Sequence, residues 1–184
     1  HKIKTTEVKG SVRSKYLPFE NFNELEEGDF DAVFSDFGGL NCLDDLTKIT
    51  HHLPNVLKPG AVVTWVLISP YCLWEWLFAL KGKFGLAFRR LKKRNVKAHL
   101  EGVEFATYFF SSNDVKKAFG KDFKVIELEG LATFTPPPYL DWISIKYPKF
   151  YGFLTWLDQI TCKWPLLRII GDHFIISLQY QPQK

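Results

Sequence analysis

The densest charge in the chain is the pair Arg89-Arg90 followed by Lys92, Lys93 and Arg94. Arginine presents a planar fork of donors that matches the oxygens of a carboxylate or phosphate, so Arg89 and Arg90 suit an anionic group. Solvated surface is the plainer reading of the whole run; Phe84, Leu86 and Phe88 would anchor Arg89 and Arg90 near a core, which makes them better candidates than the lysines. Upstream, Tyr71, Trp74 and Glu75 follow Pro70 closely. Trp74 could form an apolar wall, and Glu75 could orient a polar ligand or take a proton. Each also has a plainer reading, as a packing aromatic or a solvated helix position. His173 stands next to Asp172, a pairing that suits either a base or a hydrogen-bonded structural contact. Tyr139 follows three consecutive prolines in an aromatic-rich stretch. No spacing of His, Cys, Asp or Glu fits a metal site. No GxSxG turn offers an exposed serine, and no Walker loop offers a phosphate cradle.

The elements that must position these residues follow from apolar periodicity. Phe30 to Phe37 is a short apolar run bounded by Gly28-Asp29 and Gly38-Gly39, which predicts a buried strand ending in a glycine turn. Leu43, Leu46, Ile49, Leu53, Val56 and Leu57 recur at three- and four-residue steps, the spacing of an amphipathic helix that stops at Lys58-Pro59-Gly60. Residues 61–69 read as a strand buried on both faces, and residues 71–81 as a helix beyond the Pro70 break. Strand, helix and strand with short joins imply a right-handed crossover and a parallel pair. Phe105 to Phe110 can form a strand. Ser111 or Ser112 can cap a helix running to Phe119, with Asp114 in its first turn. Phe123 to Leu131 and Asp172 to Tyr180 read as further strands.

The fold class expected is therefore α/β: a Rossmann-like open, mostly parallel sheet with helices on both faces and an antiparallel last strand. One domain over residues 1–184 is expected, with a basic excursion at 81–104 and a lid-like insertion rich in aromatics and proline at 132–170. In such sheets ligands bind at the carboxyl ends of the strands, so Ser35, Asp36, Phe37, Gly38, Ser69 and Pro70 are the first places to look.

Composition narrows the partners. Of 184 residues, 24 are Lys or Arg and 20 are Asp or Glu, a net charge of +4 and too mild an excess to suggest nucleic acid. Cys42, Cys72 and Cys162 lie far apart with no CxxC pair, which points to a reducing cytoplasmic setting. The stretch Ala61 to Leu80 could span a bilayer by length, but Pro70 and Glu75 interrupt it, so no membrane span is expected. The chain opens on His1 and contains no Met, and its first ten residues lack the apolar region of a signal peptide.

The run Phe30-Asp31-Ala32-Val33-Phe34-Ser35-Asp36-Phe37-Gly38-Gly39-Leu40-Asn41-Cys42, with Leu57-Lys58-Pro59-Gly60-Ala61 after it, resembles the class I S-adenosylmethionine-dependent methyltransferases. In that family a strand of this pattern is the fourth, and the proline-glycine element leads into the fifth. Leu73-Trp74-Glu75, Phe88-Arg89-Arg90, Pro137-Pro138-Tyr139 and Gly171-Asp172-His173 resemble one branch of it, so the likeness covers roughly residues 28–180. The resemblance implies S-adenosylmethionine as cofactor, held by Ser35, Asp36, Phe37 and Gly38 with Leu40 and Asn41 close by. It implies Tyr71, Trp74, Arg89, Arg90 and Tyr139 on the acceptor side, Glu75 and His173 as catalytic candidates, and no metal. The family's glycine-rich first motif is absent, as is the acidic residue that would hold the ribose. The strands that carry them are expected upstream of His1, the alternative being a degenerate homologue.

The function expected is methyl transfer to a small, partly apolar molecule. The alternatives are a non-catalytic methyltransferase-like binding module, which would use the aromatic insertion, and another nucleotide-binding α/β enzyme such as a dehydrogenase. A homo-oligomer is compatible with either.

Overall fold

The computed structural model describes residues 11–36, 38–92, 96–100 and 102–183. Strand β1 (Phe30–Ser35) and strand β2 (Leu57–Ile68) pair in parallel, with Ala32 opposite Val62 and Ser35 opposite Trp65. Between them the chain crosses over through two single-turn helices, α1 (Thr47–Thr50) and α2 (Leu53–Val56). The last strand, β6 (His173–Tyr180), lies antiparallel between β2 and β5 (Phe123–Leu131). The strand order is β1-β2-β6-β5. Three strands therefore share one direction and the last runs against them, as the mostly parallel α/β reading with an antiparallel final strand requires.

The period-2 pattern of the strands sets the core. Ala61, Val63, Trp65 and Leu67 of β2 are buried on one face, with Phe174, Ile176, Leu178 and Tyr180 of β6 beside them. Helix α5 (Ser112–Phe119) packs there through Val115 and Phe119, whose ring lies 4.5 Å from that of Trp65. The Ser111 hydroxyl accepts from the Asp114 backbone N–H while the Asp114 carboxylate accepts from the Ser111 N–H, a reciprocal cap worth about 1 kcal/mol. Leu46, Ile49, Leu53 and Val56 of the crossover complete this side. On the other face stands α7 (Pro148–Thr161), where Glu129, Leu131 and Ile175 join Tyr151 and Thr155 around a groove of about 450 Å³.

Several boundaries differ from the periodicity reading. The single helix expected over 43–57 is two short turns, and Leu57 to Gly60 belong to β2 instead of a turn. The cause is visible in the pairing: the register shifts between Phe30 and Ala32, so β2 absorbs its proline-glycine element and still meets β1 at Phe30–Leu57. The segment 71–81 is likewise broken, into α3 (Leu73–Trp76) and a 3-10 turn over Leu77–Lys81, followed by α4 (Phe84–Ala87). The strand expected over 105–110 is β4 (Val103–Thr107), which pairs with β3 (Val96–Leu100) in a separate two-stranded sheet. Within the proline-rich stretch 132–170 lie α6 (Trp142–Lys146) and the 14-residue α7, for which no helix was expected. Pro148 opens α7, where a missing N–H costs nothing. Among the described residues no helix is long and apolar enough to cross a membrane.

Candidate functional site

One edge of the sheet gathers the carboxyl ends of β1, β2 and β5 and the start of β6. Ile68, His173 and Leu131 stand in one row across it. Beyond β1 the chain bends at Gly38, whose φ of +77° is a left-handed conformation that disfavours side chains. A Cβ there would meet the Ile68 side chain at 3.1 Å, so the bend lies tightly against the end of β2. Asn41 fixes this approach from inside. It is fully buried, accepts from the Ile68 N–H at 2.9 Å, and donates to the carbonyls of Ile68 (3.3 Å) and Tyr108 (2.6 Å). Leu40 is buried in the core cluster. Leu40 and Asn41 thus hold the bend, while Asp36 is exposed and Ser35, Gly38 and Gly39 are half-buried. Phe37 lies outside the described residues.

Next to the bend is a cluster of charges that burial forces into mutual pairing. Glu75 on α3 is 1 % exposed. Its carboxylate takes Arg89 Nε at 3.0 Å and Nη2 at 2.6 Å, and Arg90 Nε at 2.8 Å. Arg90, 7 % exposed, also donates Nη2 to Asp172 Oδ1 at 2.6 Å and Nη1 to the carbonyls of Asp172 (3.0 Å) and Ser69 (3.2 Å). The Phe109 ring lies 5.5 Å from its guanidinium carbon. Asp172 Oδ2 is 3.0 Å from His173 Nδ1. Burial by itself would raise the Asp172 carboxyl, but the His173 hydrogen bond and the Arg90 charge outweigh it and hold it at about 2. Cys72 is buried against the same carboxylate, its thiol pushed up to about 11 by desolvation. Gly171 permits the arrangement, since a Cβ there would lie 2.7 Å from the Leu131 carbonyl oxygen.

Bend and cluster meet at a cavity of about 390 Å³. Gly38, Gly39, Cys42 and Ile68 form one side, Arg89 and Arg90 another, and Val96, Lys97, Phe105, Thr107 and Phe109 the third. Every charged side chain in this lining is basic. The Thr107 hydroxyl is buried and has no hydrogen-bond partner among the described residues.

Of the sequence-predicted residues, the fold thus brings Gly38, Arg89 and Arg90 to one cavity and Glu75 and His173 to the charges behind it. Tyr71 stands apart, half-buried beside a smaller hollow of about 180 Å³ with Ser69, Ser111 and Arg168. Trp74 donates its indole N–H to the Phe134 carbonyl at 3.0 Å, tying α3 to the proline-rich segment. Tyr139 is half-exposed and stacks on Phe78 at 6.2 Å; desolvation raises its phenol. Sequence reasoning missed Asp172 as the hub, treating it only as a neighbour of His173. An acid at the mouth of an otherwise apolar strand was the available signal. Thr107 gave none, because threonine is ordinary in a strand.

No protein-family model matches the chain, and no curated protein matches it in sequence. Solved structures do resemble it. A Listeria monocytogenes protein provisionally named an S-adenosylmethionine dependent methyltransferase superposes with a TM-score of 0.51 at 12 % identity, over 85 % of this chain and 64 % of that one. An S-adenosylmethionine-dependent methyltransferase from Clostridium acetobutylicum ATCC 824 gives 0.50 at 10 % identity, over 94 % and 66 %. The chain spans less than two thirds of the length of either. The likeness establishes that these residues adopt a fold found in S-adenosylmethionine-dependent methyltransferases.

Proposed function

We propose that the chain takes part in S-adenosylmethionine-dependent methyl transfer to a small, partly apolar molecule. The observation that carries this reading is the glycine bend at the carboxyl ends of two parallel strands, opening directly onto a cavity, within a fold that methyltransferases share. The bend suits a nucleoside cofactor: backbone at Gly38 and Gly39 can approach a ligand closely, and the exposed Asp36 offers an acceptor at its rim. Ser35, Asp36 and Gly38 would line the cofactor, with Leu40 and Asn41 holding them in place. S-adenosylmethionine would supply an electrophilic methyl group on a sulfonium. What remains for the protein is to align the acceptor with that methyl and keep water out. The apolar wall of Ile68, Phe105 and Phe109 excludes water. Glu75, whose carboxylate is committed to two arginines, acts as a positioning group for Arg89. His173, bonded to Asp172 behind the cavity, acts as a positioning group for Arg90. A cytoplasmic location goes with this reading, supported by three unpaired thiols.

Titration calorimetry with S-adenosylhomocysteine, against NAD as control, tests the proposal. Heat with the former and none with the latter is the expected result, and no heat with S-adenosylhomocysteine overturns it. Asp36→Ala is expected to weaken that binding several-fold; unchanged affinity would move the pocket elsewhere.

A further inference from the structure

The cavity is more specific than a small apolar pocket. Its volume of about 390 Å³ is at the lower end of the range for small-molecule sites. Ile68, Phe105 and Phe109 offer an apolar bed for a ring or short alkyl chain. The free edge of Arg89 then breaks the apolar surface. Arg89 binds Glu75 through Nε and Nη2, one edge of its fork, leaving Nη1 with no bond among the described residues. The side chain is 41 % exposed and forms part of the cavity wall. The free edge of this guanidinium donates to an anion, and no carboxylate in the lining opposes one.

We infer that the cavity takes an apolar carboxylate or a similarly sized phosphate ester, its anionic oxygens bound by Arg89 Nη1. Glu75 serves this site by clamping the other edge of Arg89, so that the free edge is held in one orientation before the ligand arrives. The inference rests on the methyl-transfer reading only in treating this ligand as the acceptor. The anion site stands on the cavity alone.

The test uses phenylacetate as probe, benzyl alcohol and phenethylamine as controls of similar size, and saturation-transfer NMR on the whole chain. Phenylacetate is expected to bind, with the neutral and cationic controls at least about tenfold weaker, the discrimination expected when a fixed charged donor loses its acceptor. Arg89→Gln is expected to weaken phenylacetate several-fold without moving the urea midpoint by more than a surface change does. Binding that continues with S-adenosylhomocysteine present supports an acceptor site. Displacement by S-adenosylhomocysteine assigns the anion site to the cofactor's own carboxylate and overturns the acceptor assignment. Equal binding of all three probes, or phenylacetate binding unchanged in Arg89→Gln, overturns the anion site itself. Should Arg89→Gln lower the urea midpoint, Arg89→Lys keeps the charge, and its closer retention of binding is the expected result. S-adenosylhomocysteine calorimetry is read separately, so failure of phenylacetate does not count against the cofactor and failure of the cofactor does not count against the anion.

Discussion

Arg89 and Arg90 are neighbours in sequence and reach the same carboxylate, yet they occupy opposite regimes. Arg90 is buried, bonded to two acids and two carbonyls, and lies near an aromatic ring. Arg89 gives one edge to Glu75, is 41 % exposed and forms part of the cavity wall. The inner arginine locks the ends of β2 and β6 to the loop between α4 and β3; the outer one is held by that lock and offered to a ligand. A buried charge is retained here because every partner is supplied, and its neighbour can be functional because the lock makes it rigid.

This contrast is broken or sharpened in a definite order. Arg90→Ala leaves Glu75 and Asp172 short of a buried partner and is expected to cost about 3–5 kcal/mol in urea unfolding. Acid is the next largest effect. Asp172 has a folded-state pKa of about 2, below the roughly 3.9 of an unfolded aspartate, so its contribution of about 2 kcal/mol is present above pH ~4 and lost as the pH falls through 2. Asp172→Asn is expected to flatten that part of the stability–pH profile measured by circular dichroism. The smallest change in stability is expected for Arg89→Gln, roughly 1 kcal/mol or less, because its outer edge is solvated. An equal cost for the two arginine variants would remove the distinction between lock and wall.

Much of the sheet was readable from spacing. The β5 run Phe123 to Leu131 and the Ser111–Asp114 cap sit where periodicity and capping chemistry place them. The proline-glycine element misled, because a bulged parallel strand looks like a turn in a single sequence. Helix α7 was hidden for the opposite reason: its proline reads as a breaker, yet it is the first residue of the helix. The site was legible as a place, the carboxyl ends of the strands, and partly as a cast. How the cast is partnered was not, since Glu75, Arg90 and Asp172 meet only after the sheet has brought the ends of β2 and β6 together. No local pattern records that an arginine's second edge is spent on a residue 82 positions away.

Strand β1 has a hydrogen-bonded neighbour on one side only among the described residues, at β2. On its far side the backbone donors and acceptors form an open rail along which another extended segment can dock. Phe34, 64 % exposed, adds a greasy contact on that strand, and Asp31, paired with Lys58, adds a charge. Whatever strand seats itself there will decide whether these residues stay dispersed in solution or adhere to one another.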